Sequence, residues 1–212
     1  MESPPLPRSE PPLLFSSAVL VVANVIPLVG ALAWGWSVFE IVVTYWAENL
    51  LIGFFTLIRI LASGGWQREA APFVAKVFTA VFFTVHYGIF CLVHGFFVFS
   101  MLGGGGAKQG TLSGKGIAFA LLALFLSHGF SLVKNYFAAG EYRDTNPQAQ
   151  MFTPYPRIVV LHLAILFGAF AIQALGSPVP LLVILVVGKT VIDLSLHHWL
   201  HRKAAIGPNV VQ

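Results

Sequence analysis

Imidazole and carboxylate side chains interrupt the most apolar runs of this chain. Glu48 and Asn49 lie in WAENLLIGFF, and His86 and His94 in FFTVHYGIFCLVHGFF. His128 lies in LLALFLSHGFSL, His162 in VVLHLAILF, and Asp193 and His197 in VIDLSLHHWLH. A charge at a bilayer centre costs about 3 kcal/mol on insertion scales, so such groups face a bundle interior and mark sites of function. Histidine with carboxylate is the donor set of zinc or non-haem iron. His128, His162, Asp193 and His197 are therefore the candidate metal ligands. Glu48 is a candidate ligand or general base, with Asn49 as its hydrogen-bonding partner.

Spacing sharpens some of these candidates. Lys189, Asp193, His197 and His201 recur every four residues and share a slowly drifting helix face. Two imidazoles at i, i+4 can hold one metal ion. Asp193 then serves as a third ligand or orients a ring from outside the shell. His86 and His94 are eight residues apart, about 80° apart around a helix and on different levels, so one ion cannot take both. They suit two stacked sites, as bis-His haem ligands do. Glu40, Thr44 and Glu48 form a further polar stripe on one side of their helix. Structural readings stand beside each of these. Lys189 can simply pair with Asp193, or Glu48 can lie against Lys189. HHWLHRK can be an interfacial belt, and each remaining histidine a packing residue.

These side chains need long apolar elements to position them. Apolar length predicts helices over 13–34, 37–61, 73–101, 116–138, 156–175 and 179–201. Each is near or above the roughly 20 residues that cross a bilayer. The fold class is all-α, a bundle of about six transmembrane helices over residues 13–201. A Pro-rich arm (1–12) precedes it and a short tail (202–212) follows. The first span lacks a basic start and a cleavage site, so it reads as retained. GGGGAKQG at 103–110 is a loop, and residues 142–157 are a polar connector with three prolines. Gly88, Gly95 and Gly168 are expected to let helices approach closely.

Composition agrees. Hydrophobic residues make up 57% of the chain and charged ones 9%, against roughly 25% charged in a soluble domain. Mean hydropathy is +0.82. The basic residues cluster at helix ends, which points to topology and lipid headgroups and away from nucleic acid. Arg8, Arg59, Arg68, Lys76, Arg143, Arg157, Arg202 and Lys203 fall on one side of a six-span bundle, and Lys108 and Lys115 on the other. This asymmetry predicts that both termini are cytoplasmic. The single cysteine, Cys91, excludes an internal disulfide and a Cys-based metal cluster.

The segment YWAENLLIGFFTLIRIL, after the short GWSVFE turn, resembles the signature of an uncharacterised bacterial membrane family, domain of unknown function 6498. Tyr45, Trp46, Glu48 and Asn49 carry the likeness. It implies a multi-span protein of the bacterial cell membrane and assigns no reaction. His197–His198–His201 is also similar to one histidine cluster of the membrane desaturases and hydroxylases, although the chain has only seven histidines. His197/His201, Ser127/His128 and Asp193 resemble pieces of the zinc site of ceramidase-type intramembrane hydrolases, in a different order. Together these point to a metal-dependent membrane enzyme acting on a lipid-like substrate. A haem-binding electron carrier, a transporter or channel, and a structural membrane protein are the alternatives.

Overall fold

The computed structural model describes the backbone of residues 13–64, 70–103 and 114–206, and within them the side chains of 21–22, 24–64, 73–102 and 116–195. The described residues are helical throughout, without a strand. Six long helices follow one another: α1 (Leu13–Ala33), α2 (Val38–Ala62), α3 (Ala70–Gly103), α4 (Gly114–Ser131), α6 (Tyr155–Leu175) and α7 (Val179–Ile206). A short helix, α5 (Pro147–Phe152), precedes α6. Among the described residues, four segments are long and apolar enough to cross a membrane: Val38–Ala62, Phe73–Leu102, Gly116–Ala138 and Pro147–Leu175. Their outward faces carry bulky apolar side chains such as Phe78, Phe96, Phe119 and Phe170, all well exposed. That surface suits hydrocarbon and would be unstable in water.

Helix ends coincide with local signals. Ser37 caps α2, its Oγ accepting from the Glu40 N–H at 3.3 Å. At the far end the Ser63 hydroxyl donates to the Ile60 carbonyl at 2.7 Å. α4 passes into a π-helical turn over Leu132–Ala138. There the Tyr136 hydroxyl donates to the Arg59 carbonyl at 2.7 Å, tying this turn to the end of α2.

α2 is the central element, touching α3, α4, α5, α6 and α7. Val38, Phe39 and Val42 of α2 pack with Leu161 and Ala164 of α6 and Leu181, Leu182 and Leu185 of α7. A second cluster joins Ile60 to Phe83, Tyr87 and Cys91 of α3, with Met151 of α5 and Ile158 of α6. α6 and α7 form an antiparallel hairpin, and α1 lies on α7. Close contact in the hairpin depends on two glycines. A Cβ on Gly168 would lie 2.6 Å from Leu181 Cβ, and one on Gly188 2.5 Å from Val160 Cγ1. Gly95 admits the Trp46 ring in the same way, whereas Gly88 faces open space. The expected close approach therefore holds at Gly95 and Gly168 and not at Gly88.

The stretch before α6 departs from the polar connector expected at 142–157. Asn146 caps α5 through its Oδ1, which accepts from the Ala149 N–H at 3.0 Å. α5 packs on α2 and α3, and the helix breaks at Thr153–Pro154 before α6 begins. Pro154 and Pro156 lack N–H groups, so the helical ladder cannot pass through them unbroken. The two helices together fall in one segment, Pro147–Leu175, that is long and apolar enough to cross a membrane.

Candidate functional site

Arg157 lies in the first turn of α6. Glu48 lies fourteen residues from the matching end of α2 at Ala62, or roughly 21 Å. The two side chains meet at this depth, where Arg157 Nη1 donates to Glu48 Oε1 at 3.1 Å.

Four charges close into a square. Glu48 Oε1 also accepts from Lys189 Nζ at 3.4 Å. Lys189 Nζ stands 3.8 Å from Asp193 Oδ2, and Arg157 Nη2 stands 3.6 Å from Asp193 Oδ1. Signs alternate around the square, so every charge touches two of opposite sign and the set is neutral. The carboxylates are the deeper pair, with side chains 12% and 13% exposed, against 23% and 29% for Lys189 and Arg157. Asn24 of α1 completes the shell of Asp193, its Nδ2 donating to Oδ2 at 3.0 Å. The Lys189 ammonium also lies 5.8 Å from the centre of the Tyr45 ring, within cation–π range.

Two cavities meet at this square. One, of about 30 Å³, is bounded by Tyr45, Glu48, Asn49, Arg157, Lys189 and Asp193. It has room for one or two water molecules, at roughly 10–15 Å³ each. Asn49 donates through Nδ2 to its own helix at Tyr45 O, 2.9 Å away. Its Oδ1 is buried and has no hydrogen-bond partner. The other cavity, of about 750 Å³, is an open groove between α2 and α4, closed at one side by Pro27 of α1 and Trp36 of the α1–α2 turn. Glu40, Thr44, Tyr45 and Glu48 form one wall, and Ala120 and Leu124 lie on the other. The stripe at 40, 44 and 48 thus faces a single groove. Tyr45 and Glu48 bound both spaces.

The histidines are distributed differently. His86 Nδ1 bonds the Tyr155 hydroxyl at 2.8 Å, and its ring stacks on Phe82. His94 is buried, with Nδ1 against the Phe90 carbonyl. A carbonyl only accepts, so His94 Nδ1 carries the proton and Nε2 is the acceptor. His162 Nδ1, 3.1 Å away, donates to it. Both ring nitrogens of His94 are therefore engaged within the protein. His128 packs on Phe55, seven residues and roughly 10 Å along α2 from Glu48. The side chains of His197, His198 and His201 lie outside the described residues. Of the four candidate metal ligands, the structure gives His128, His162 and Asp193 three separate partners. Among the described residues no three His, Cys, Asp or Glu side chains gather into a metal-binding group.

The family model described as "Family of unknown function (DUF6498)" matches residues 6–207. The chain belongs to this family. DUF6498 carries no assigned activity. No curated protein and no solved structure matches the chain, so the chemistry of this DUF6498 member is read from its own residues.

Arg157 and Asn24 are the site residues that sequence reasoning passed over. Arg157 was counted among the cytoplasmic flanking charges because the prolines beside it read as a connector. Charge balance held the missing signal. Two carboxylates deep in apolar runs, Glu48 and Asp193, carry two negative charges; Lys189 offsets one of them, and a neutral cluster requires a second cation.

Proposed function

We propose that this protein binds a lipid-like ligand within the membrane. The groove between α2 and α4 takes the apolar body, and the charge square takes the polar head. The observation that carries this reading is the shared wall. Tyr45 and Glu48 bound both a groove of about 750 Å³ and a polar cavity of about 30 Å³. Ligand pockets are concave and mostly apolar, with a few polar groups that fix orientation, and span roughly 300–1,000 Å³. An all-structural square would need no such opening.

His128, His162 and Asp193 each have their own partners, so the donor set supports binding at the square in preference to a shared metal ion. Native mass spectrometry of the detergent-purified protein tests the proposal. A retained amphiphile near one per chain is expected, and Ala120→Trp, which fills the groove without touching a charge, should remove it. Absence of any retained amphiphile, or equal retention by Ala120→Trp, would overturn the reading.

A further inference from the structure

We infer that the ligand's polar head is an uncharged hydroxyl, that of a lipid alcohol, and that Asn49 is the residue that receives it. This rests on the binding reading above and adds the chemical class. Charge balance, an unpartnered acceptor and the size of the polar cavity lead to it separately.

Charge comes first. Glu48, Arg157, Lys189 and Asp193 are neutral as a set, and each already touches partners of opposite sign. An ammonium, a phosphate or a carboxylate brought among them would leave one charge uncompensated away from water, which is costly. An uncharged head leaves the balance intact. The acceptor comes next. A carbonyl only accepts, so Asn49 must turn Nδ2 toward Tyr45 O, 2.9 Å away, and this fixes Oδ1 as the other end of the amide. Asn49 is 6% exposed and lines the polar cavity with Glu48 and Lys189, and its Oδ1 has no hydrogen-bond partner. A buried acceptor left unmade costs free energy that an incoming O–H recovers. Donors stand on the same wall, since Arg157 and Lys189 both line this cavity. A guanidinium and an ammonium carry more N–H groups than the two contacts each that the square uses. A hydroxyl can therefore donate to Asn49 Oδ1 and accept from a remaining N–H without breaking an ion pair. Size agrees. A cavity of about 30 Å³ admits a group as large as one or two waters, which suits a hydroxyl and is too small for a phosphate or a sugar. Tyr45 and Glu48 border both spaces, so a chain lying in the groove brings its end to this cavity.

The experiment measures binding of four decyl-chain probes to the intact protein in a neutral maltoside detergent by calorimetric titration, at matched mole fraction in the micelle. The probes are decanol, decyl methyl ether, decylamine and decyl phosphate. The ether keeps the oxygen and loses the donor. Decanol is expected to bind saturably and about tenfold more tightly than the ether, as one buried hydrogen bond contributes. Both charged probes should bind more weakly than decanol. Asn49→Ala leaves all four charges in place and should bring decanol down to the level of the ether. If that variant fails to fold, the decanol-to-ether ratio in the unaltered protein tests the inference by itself. Equal binding of decanol and ether, lost in Ala120→Trp, would overturn the hydroxyl assignment and leave the groove reading standing, with the polar cavity taking water only. Tighter binding of decylamine or decyl phosphate than of decanol, lost in Ala120→Trp, would have the same consequence. A preference for decanol unaltered in Asn49→Ala would also reject the assignment, since selectivity would then arise elsewhere. No saturable binding of any probe, or binding of all four unchanged in Ala120→Trp, would overturn both readings.

Discussion

Glu48 accepts from both Arg157 and Lys189 through one oxygen, at 3.1 and 3.4 Å. Its removal therefore strands positive charge. Glu48→Gln leaves Arg157 and Lys189 sharing Asp193 alone, with one uncompensated cation in a dry interior. Breaking a buried pair from one side costs about 3–5 kcal/mol. The cations here are a quarter exposed, so about 3 kcal/mol or somewhat less is expected, read as a lowered unfolding temperature in detergent. Adding Lys189→Met restores neutrality, because Arg157 still faces Asp193. The double variant should regain at least half of the lost stability. A double variant no more stable than Glu48→Gln would show that the square does not act as one unit. Asn24→Ala removes a single neutral donor to a carboxylate and should cost about 1–2 kcal/mol, with the charge pairs intact. An unchanged unfolding temperature would place Asn24 outside the shell of Asp193.

At the scale of elements, the α6–α7 hairpin sets the distance between Arg157 and its partners. Gly168 and Gly188 allow that spacing, but their neighbours differ in freedom. A Cβ at Gly168 would meet the Cβ of Leu181, which only backbone movement can shift. A Cβ at Gly188 would meet a methyl of Val160, which a rotamer change can move. Gly168→Ala should therefore destabilise more than Gly188→Ala, with overpacking of about 1–3 kcal/mol at the first position. Thermal unfolding of the two variants side by side decides this, and the reverse order would mean the hairpin packs otherwise. The helices themselves were legible from apolar length, and every span lay within a few residues of its expected place. α5 was not, because NPQAQMFTPYP reads as a proline-rich connector until its Asn cap and its packing against α2 and α3 are seen.

For the whole molecule, six long helices place both chain ends on one side if all of them cross. Arg157 leaves the tally of flanking charges once it is seen inside the bundle. Seven basic residues then remain on the side of the termini and two on the other, and the direction of the bias is unchanged. Reporter fusions at the N- and C-terminus should both report the cytoplasmic side. Opposite locations for the two ends would mean that one helix does not cross. Sequence by itself determined what depends on composition and period. Twenty or more apolar residues in a row can satisfy their backbone in hydrocarbon only as a helix, and Glu48 and Asp193 could not rest there without partners. Tertiary structure alone decided who those partners were. Pairing joins residues 48, 157, 189 and 193, and the apolar helix faces that carry them differ little from one another in pattern, so local sequence holds no register between them. The packing of α2 against the α6–α7 hairpin, with its close glycine contacts, brings these four scattered charges into one neutral square.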